Sequence, residues 1–146
     1  MVDVGDKKIT TRMATAVSRV KVGEAIVNEV ASGDLNTPKG PVFQTAILAG
    51  TMAAKKTADL IPLCHVIPLD SVKIKIETEG KDTFLIHCTA KATHKTGVEM
   101  EALTGASVAA LTIYDMCKAM SHNIVLKNTQ LMEKTGGKKD FSRSDA

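Results

Sequence analysis

Aromatic residues are scarce in this chain of 146 residues, which has no tryptophan, one tyrosine and three phenylalanines. The core must therefore be built mainly from alanine, valine, isoleucine, leucine and methionine. A single tyrosine provides no platform on which nucleic-acid bases could stack, and a net charge of only +3 leaves no strong basic footprint. Both shortages argue against a nucleic-acid-binding protein.

Long apolar runs and paired cysteines are also lacking. No uncharged run is long enough to span a bilayer, and no basic-then-apolar leader is evident, so we expect no membrane association. The three cysteines, Cys64, Cys88 and Cys117, are an odd number without a Cys-x-x-Cys spacing. This pattern favours a reducing compartment, and we expect a cytoplasmic protein.

Sequence motifs for metals and nucleotide phosphates are missing as well. Cys64-His65 has no second ligand pair at a coherent distance, and His87-Cys88 lies in a predicted strand, where neighbouring side chains point to opposite faces. The chain also has no Gly-x-x-x-x-Gly-Lys-Ser/Thr loop. We therefore expect no metal site, and any nucleotide must bind without a Walker loop.

What the chain does contain is a regular succession of strand and helix patterns. Alternating polar and apolar residues predict strands at 12–22, 71–77, 84–92 and 123–133. Helical spacing predicts helices at 23–30, 42–56 and 102–114, with an irregular, mobile loop at 31–40 and a buried, fixed loop at 61–69. This order predicts one α+β domain over residues 1–146, with about four strands in an antiparallel or mixed sheet and helices packed on it. Residues 1–11 are expected to form an arm and residues 135–146 a flexible basic tail.

Two of these helices are unusually apolar. Residues 42–54 and 102–114 carry no charge and are rich in small side chains. Such helices are buried over most of their circumference. The apolar surface of two such helices is larger than one small domain can cover. We therefore predict that the chain forms an oligomer.

Ionisable side chains stand at both ends of the second apolar helix. Glu99 and Glu101 precede it, and Asp115 and Lys118 end it. Each pair also has a structural interpretation that involves no catalysis. Glu99 could close a capping box with Thr96. Asp115 and Lys118, three residues apart on one helix face, could form a surface ion pair. The spacing alone leaves both interpretations open.

Three further side chains are candidates for chemistry. His65 lies beside Cys64 in the apolar, proline-bounded loop, where a lone histidine is more often a hydrogen-bonded core group than a catalyst. Lys39 precedes Gly40, and Lys138 follows two glycines. Lysines on such flexible backbone can reach a phosphate group or simply remain solvated.

Specific motifs then point to one family. They are the runs Lys95-Thr-Gly-Val-Glu-Met-Glu-Ala-Leu-Thr, Leu111-Thr-Ile-Tyr-Asp-Met-Cys-Lys-Ala and Ile61-Pro-Leu-Cys-His. With them the chain closely resembles the cyclic pyranopterin monophosphate synthases, the molybdenum cofactor biosynthesis protein C family. The resemblance runs from Met1-Val-Asp-Val through Lys39-Gly40 to Gly136-Gly137-Lys138 and Asp140-Phe141, nearly the whole chain.

The resemblance implies a ferredoxin-like α+β sandwich and a homohexamer, a trimer of dimers with active sites at the dimer interfaces. It also implies a reaction on a small nucleotide-derived molecule. The substrate would be (8S)-3′,8-cyclo-7,8-dihydroguanosine 5′-triphosphate, and the products cyclic pyranopterin monophosphate and pyrophosphate. No resident cofactor is implied, although Mg²⁺ could accompany the triphosphate.

Matching motif positions also implies roles for individual residues. Asp115 would be the general acid/base residue, Lys118 its catalytic partner, and Lys39 a further catalytic group. The residues that would bind the substrate are Leu63, Cys64, His65, Glu99, Met100, Glu101 and Lys138. These residue types suit the reaction, because lysines stabilise charge that develops on phosphates, and carboxylate, lysine and imidazole groups transfer protons.

Three departures from the family pattern accompany this resemblance. We expect the chain, which starts at Met1, to lack an N-terminal segment that family members usually carry. Val66 replaces the usual proline after the histidine, and the stretch 136–140 is one residue shorter than usual. A different function also remains open, a non-catalytic oligomeric protein that binds purine nucleotides in the same basic pocket.

Overall fold

Four long strands form the centre of the protein, whose computed structural model describes residues 1–144. In chain order the strands are β1 (Thr10–Lys21), β2 (Asn36–Thr37), β3 (Gly40–Pro41), β4 (Ser71–Glu79), β5 (Thr83–His94), β6 (Val125–Thr135) and β7 (Phe141–Ser142). Five of them form one antiparallel sheet in the order β4-β5-β1-β6-β7, while β2 and β3 pair as a separate small hairpin. The predicted α+β class is confirmed, with five strands in the sheet instead of about four.

The helices connect the long strands in a simple pattern. They are α1 (Glu24–Val27), α2 (Val42–Lys55), α3 (Thr57–Leu60) and α4 (Glu99–Cys117). The long helix α2 lies between β1 and β4 in the chain, and α4 lies between β5 and β6. The long elements thus follow a β-α-β-β-α-β order, and β1 and β5 lie side by side in the centre of the sheet, as in ferredoxin-like folds.

One face of β5 explains how the helices attach to the sheet, although Thr83 and Leu85 on its other face are buried as well. Phe84, Ile86, Cys88, Ala90 and Ala92 are buried at every second position. The larger of these side chains pack with the carboxyl-terminal half of α4, and the alanines pack with its amino-terminal half. Because alanine is small, the start of α4 can lie close to the sheet, which positions the side chains of its first turn.

A close crossing of α2 and α4 depends on two glycines. A Cβ atom added to Gly50 of α2 would lie 2.6 Å from the carbonyl oxygen of Gly105 in α4, and also 2.6 Å from Cδ1 of Ile74. A Cβ atom on Gly105 would meet Sγ of Cys88 at 2.6 Å. The absence of side chains at both positions therefore allows the two helices and the sheet to pack together.

We expect Gly50→Ala to destabilise the protein by about 1–3 kcal/mol, because the added methyl group collides with backbone that cannot easily move. Chemical denaturation measures this change in the free energy of unfolding. The control is Gln44→Ala in the same helix, at an exposed position, which should change stability by less than about 0.5 kcal/mol. Equal stability of the Gly50→Ala variant and the unchanged protein would contradict this account of the crossing.

The structure corrects three expectations about irregular segments. Residues 31–40 contain a tight turn and the β2–β3 hairpin instead of an irregular loop. Loop 61–69 is irregular but not buried, since Ile61, Leu63 and Val66 are exposed. The expected flexible tail turns at Gly136, whose φ is +90°, and returns as β7 beside β6. Residues 145 and 146 of that tail lie outside the described residues.

These differences have a common physical reason. The short strands β2, β3 and β7 contain two residues each, too few for an alternating pattern, and the exposure of loop 61–69 depends on which segments pack beside it, so neither follows from local sequence. Within residues 1–144, no helix is both long and apolar enough to cross a membrane.

Candidate active site

Nine of the ten predicted site residues fall into two groups at opposite ends of α4, and the tenth, Lys138, lines a separate cavity described below. The amino-terminal cluster consists of Leu63, Cys64, His65, Glu99, Met100 and Glu101. The carboxyl-terminal cluster consists of Lys39, Asp115 and Lys118. Because an α-helix rises 1.5 Å per residue, Glu101 and Asp115 are separated by about 21 Å along the axis. A single chain therefore does not bring all the predicted residues into one site.

The amino-terminal cluster lines a cavity of about 300 Å³. Loop 61–69 forms one side of this cavity and the start of α4 the other. The N-terminal arm contributes Val2, Val4 and Lys7 to the lining. No motif in the sequence predicts a role for this arm, since its contact with the cavity depends on folding.

His65 is held by the N-terminal arm. Its Nε2 atom lies 2.7 Å from the carbonyl oxygen of Val2. A carbonyl oxygen only accepts hydrogen bonds, so Nε2 carries the proton and donates it. In the neutral imidazole, Nδ1 is then the atom that can accept a proton.

Cys64 is half-buried beside this histidine. Burial raises the pKa of the Cys64 thiol, and the negative charge of Glu101 raises it further. The sulfur is therefore protonated at neutral pH, which suits a packed thiol and not a nucleophile.

The two glutamates at the start of α4 have different environments. The capping-box interpretation of Glu99 is wrong, because α4 begins at Glu99 itself, and its N-cap residue is Val98 instead of Thr96. Glu99 instead lines the cavity. Glu101 is only 3% exposed, and burial raises the pKa of its carboxyl group. Its own backbone N–H opposes this shift by hydrogen bonding, and the charge of Glu99 adds to it.

A second cavity, of about 250 Å³, shares Lys7, Thr96, Gly97 and Glu99 with the first. We call it the basic cavity, because five cationic side chains line it. They are Lys7, Arg12, Lys134, Lys138 and Lys139. Lys138 is the one among them for which the family resemblance implies substrate binding, and the other four were not predicted from the sequence. They come from three separate segments, so only the folded sheet brings them together.

Arg12 and Gly136 shape the basic cavity. The Arg12 side chain is buried, and its Nε and Nη2 atoms donate to the carbonyl oxygens of His94 and Lys95 at 3.3 and 3.1 Å. Gly136 has a positive φ, and a Cβ atom there would collide with the backbone of Thr11. Glycine is therefore required where the chain turns against β1 and carries Lys138 to the cavity.

At the other end of α4, Asp115 binds two lysines. Its Oδ2 atom accepts a hydrogen bond from Nζ of Lys39 at 2.8 Å, and its Oδ1 atom is 3.1 Å from Nζ of Lys118. The bonds from Lys39 and then Lys118 lower the pKa of the Asp115 carboxyl group. All three side chains are more than half exposed, with values of 53%, 53% and 58%.

The structure contains the surface ion pair that the spacing of Asp115 and Lys118 allows. The β2–β3 hairpin adds Lys39 to it. Exposed ion pairs contribute little to stability, so stability alone does not explain the cluster. The ionised Asp115 can accept a proton, and either ammonium group can donate one.

Comparison with known proteins identifies the family. The model of the MoaC family matches residues 1–137, which include both clusters and most of the basic cavity. The chain belongs to the MoaC family. Among the residues that the structure describes, this MoaC-family chain has no group of three or more His, Cys, Asp or Glu side chains arranged to hold a metal ion.

Relatives of this MoaC-family chain carry consistent names. A cyclic pyranopterin monophosphate synthase of Xanthomonas axonopodis pv. citri is 52% identical over 141 residues, which cover 97% of this chain and 86% of the relative. A molybdenum cofactor biosynthesis bifunctional protein of Synechocystis is 51% identical over 99% of this chain and 43% of its own length. Molybdenum cofactor biosynthesis protein 1 of Drosophila melanogaster is also 51% identical, over 99% of this chain and 26% of its own length.

The buried carboxyl group of Glu101 leads to a prediction about pH and stability in this MoaC-family chain. Its pKa is raised on folding, so its ionisation opposes folding, and stability is lost as pH rises above the ordinary glutamate pKa. Glu101→Gln should therefore raise the free energy of unfolding by about 1 kcal/mol at pH 8, or roughly 3 °C in Tm. At pH 4 the variant and the unchanged protein should differ little.

Thermal unfolding at pH 4 and pH 8 measures this difference. Glu99→Gln is the matched control, because Glu99 is two residues away in the same first turn of α4 and more exposed. Lower stability of the Glu101→Gln variant at pH 8 would contradict the prediction and would indicate that a cation from another copy of the chain pairs with Glu101.

Proposed function

We propose that the chain is a cyclic pyranopterin monophosphate synthase. It converts (8S)-3′,8-cyclo-7,8-dihydroguanosine 5′-triphosphate to cyclic pyranopterin monophosphate and releases pyrophosphate. The observation that carries this proposal is the junction of two cavities. A cavity with imidazole and carboxyl groups suits a purine-derived ring, and the adjoining basic cavity suits a triphosphate.

The ring rearrangement requires proton transfers. Glu101, whose pKa is raised, can donate a proton from its carboxyl group. His65 can accept one at Nδ1, because its Nε2 atom is engaged with Val2. Two neighbouring groups with different proton-transfer roles thus lie in one cavity.

Formation of the cyclic phosphate requires a hydroxyl group of the ribose to attack the α-phosphorus. The hydroxyl loses a proton, a new P–O bond forms, and the bond to the pyrophosphate leaving group breaks. The five cations of the basic cavity stabilise the charge that develops on the phosphates. The hydrogen bonds from Lys39 and Lys118 lower the pKa of Asp115, so its carboxylate is ionised and free to accept the hydroxyl proton, and as a weak base it then passes that proton on.

This assignment requires Asp115 to reach a substrate bound about 21 Å away along α4, so a second copy of the chain must complete the site. A stripe of exposed and half-buried residues along α4 and its C-cap connects the two clusters, with residues three or four positions apart. The stripe consists of Met100, Thr104, Ser107, Leu111, Asp115 and Lys118. Its middle part is uncharged, and Leu111 is 57% exposed.

Antiparallel packing of this stripe against the same stripe of another copy would bury its uncharged middle. It would also place the carboxyl-terminal cluster of each copy beside the amino-terminal cluster of the other. Such a two-fold interface is self-complementary and creates two equivalent sites. We propose this dimer as the unit that forms the active site.

Further exposed apolar side chains support a larger assembly. Leu48 and Met52 of α2, together with Leu63 and Val66 of loop 61–69, remain uncovered in one chain. We propose a homohexamer, built as a trimer of dimers, that acts in the cytoplasm. We also propose that the chain holds no resident cofactor and that Mg²⁺, where present, enters with the substrate triphosphate.

A turnover assay with the cyclised triphosphate tests the function. We expect equal amounts of pyrophosphate and cyclic pyranopterin monophosphate, detected by coupled phosphate release and mass spectrometry. Calorimetric titration with GTP measures binding separately. Tight binding without release of pyrophosphate would refute the enzyme and favour the non-catalytic nucleotide-binding protein.

A further inference from the structure

The β2–β3 hairpin holds Lys39 at its tip. Thr37 pairs with Gly40, and the backbone N–H of Lys39 donates to Oγ1 of Thr37 at 3.2 Å. From this tip the Lys39 side chain extends to Asp115 at the end of α4. The position of its ammonium group therefore depends on how the base of the hairpin is attached to the protein.

Asp34 attaches that base to the start of α2. Its Oδ1 atom accepts hydrogen bonds from the backbone N–H groups of Phe43 and of Leu35, both at 2.7 Å. Its Oδ2 atom accepts one from the N–H of Gln44 at 3.2 Å. The carboxylate thus joins the strand that leads into the hairpin to the first turn of the helix that follows it.

Asp34 acts as a helix cap although it is far from the helix in sequence. The residue at the N-cap position of α2 is Pro41, which has no side-chain acceptor. The first N–H groups of a helix need acceptors, and a negative charge there is favourable. Asp34 supplies the acceptor oxygens and the negative charge from outside the helix. The buried Leu35 next to it anchors the same segment in the core.

The turn before Asp34 also directs the segment towards α2. Ser32 and Gly33 have positive φ values of 54° and 82°, and the backbones of Ala31 and Asp34 exchange hydrogen bonds of 2.9 and 3.2 Å. This tight turn ends at Asp34, so the Asp34 carboxylate is the first side chain after the turn that binds the segment to α2. The hairpin with Lys39 follows within a few residues.

We propose that Asp34 is a positioning residue for catalysis, because it holds the hairpin so that Lys39 meets Asp115. This inference rests on the proposed function of Lys39 and Asp115 in turnover. Asp34 does not touch the cavities that would hold the substrate, and it acts only through the hairpin.

Kinetics of four variants test this proposal. Asp34→Ala should lower kcat by about 10-fold or more with KM changed by less than about 3-fold, because a chemical group is displaced while the substrate cavities remain. Asp34→Asn keeps one carbonyl acceptor, so its kcat should fall less than that of Asp34→Ala. Lys39→Ala should be at least as impaired as Asp34→Ala, and the double variant Asp34→Ala/Lys39→Ala should equal Lys39→Ala within about 2-fold.

The matched control is Ala53→Gly, which weakens α2 at its other end, away from the hairpin. Its kcat should stay near that of the unchanged protein. Equal losses from Asp34→Ala in the presence and absence of Lys39 would show a general structural role and overturn the proposal. Unchanged kcat in both Asp34 variants would overturn the proposal as well. If Asp34→Ala does not fold, the kcat of Asp34→Asn alone tests the proposal.

Limited proteolysis provides a readout that does not depend on turnover. Trypsin cleaves after lysine, and mass spectrometry follows cleavage between Lys39 and Gly40. This bond should be cut about 10-fold faster in Asp34→Ala than in the unchanged protein or in Ala53→Gly, because the hairpin base is released. Equal cleavage rates would overturn the proposal. Absence of turnover in the unchanged protein would refute the proposed function, and the proteolysis result would then decide the role of Asp34 in holding the hairpin.

Discussion

Asp115→Asn and Lys118→Ala should each lower turnover by about 10²–10⁴-fold while the assembly persists. Asparagine keeps the shape of Asp115 but removes a carboxylate whose pKa is lowered by two lysines, and with it the ability to accept a proton. Alanine at position 118 removes an ammonium group that lies 3.1 Å from Asp115. Steady-state kinetics with the cyclised triphosphate, together with size-exclusion chromatography, measures both effects.

A control separates these losses from those of an ordinary surface ion pair. Lys75 lies 3.4 Å from Glu77 on the exposed part of β4, so Lys75→Ala removes a comparable pair far from α4's end. Its turnover should remain near that of the unchanged protein. The double variant Asp115→Asn/Lys118→Ala should be little worse than the poorer single variant, because both groups act in one site. Near-normal turnover in both folded single variants would show that the assignment is wrong.

Two inactive variants should restore activity when their chains are mixed. His65→Ala damages only the amino-terminal cluster, and Asp115→Asn damages only the carboxyl-terminal cluster. In a dimer with shared sites, each mixed pair contains one site with both clusters intact and one site with both damaged. Random mixing makes half of the dimers mixed, so about one quarter of the normal activity should return.

Unfolding and joint refolding of the two variants, followed by the turnover assay, measures this recovery. A mixture of Asp115→Asn and Lys118→Ala is the matched control, because both changes lie in the same cluster and no intact site can form. Activity there should stay at the level of the single variants. Failure of the first mixture to exceed the second, with mixed dimers confirmed by mass spectrometry, would disprove a site shared between copies.

The long elements could be predicted from sequence because their burial is periodic. Alternation of apolar side chains in β4 and β5, and the uncharged runs of α2 and α4, follow directly from which faces meet the core. The short elements could not be predicted in this way. The β2–β3 hairpin and β7 contain two residues per strand, too few for a pattern.

Some features of the candidate site could likewise be predicted from the sequence, and others could not. The motifs around Glu101, Asp115 and His65 pointed to the family, and residues 1–137 match its model. The contribution of Arg12 to the basic cavity gave no signal, because an arginine in a strand is ordinary. The cap that Asp34 forms on α2 also could not be predicted from the sequence, since a proline occupies the N-cap position of that helix.

By itself, the sequence determined the α+β class, the order of the long elements and the family, because each is encoded in residues that are neighbours or repeat at regular spacing. Only the tertiary structure decided which side chains share a site. It brought Lys39 to Asp115, and it gathered Lys7, Arg12 and Lys134 beside Glu99 in the basic cavity. The physical reason is that contacts between distant segments depend on strand pairing and helix packing, which local patterns do not specify.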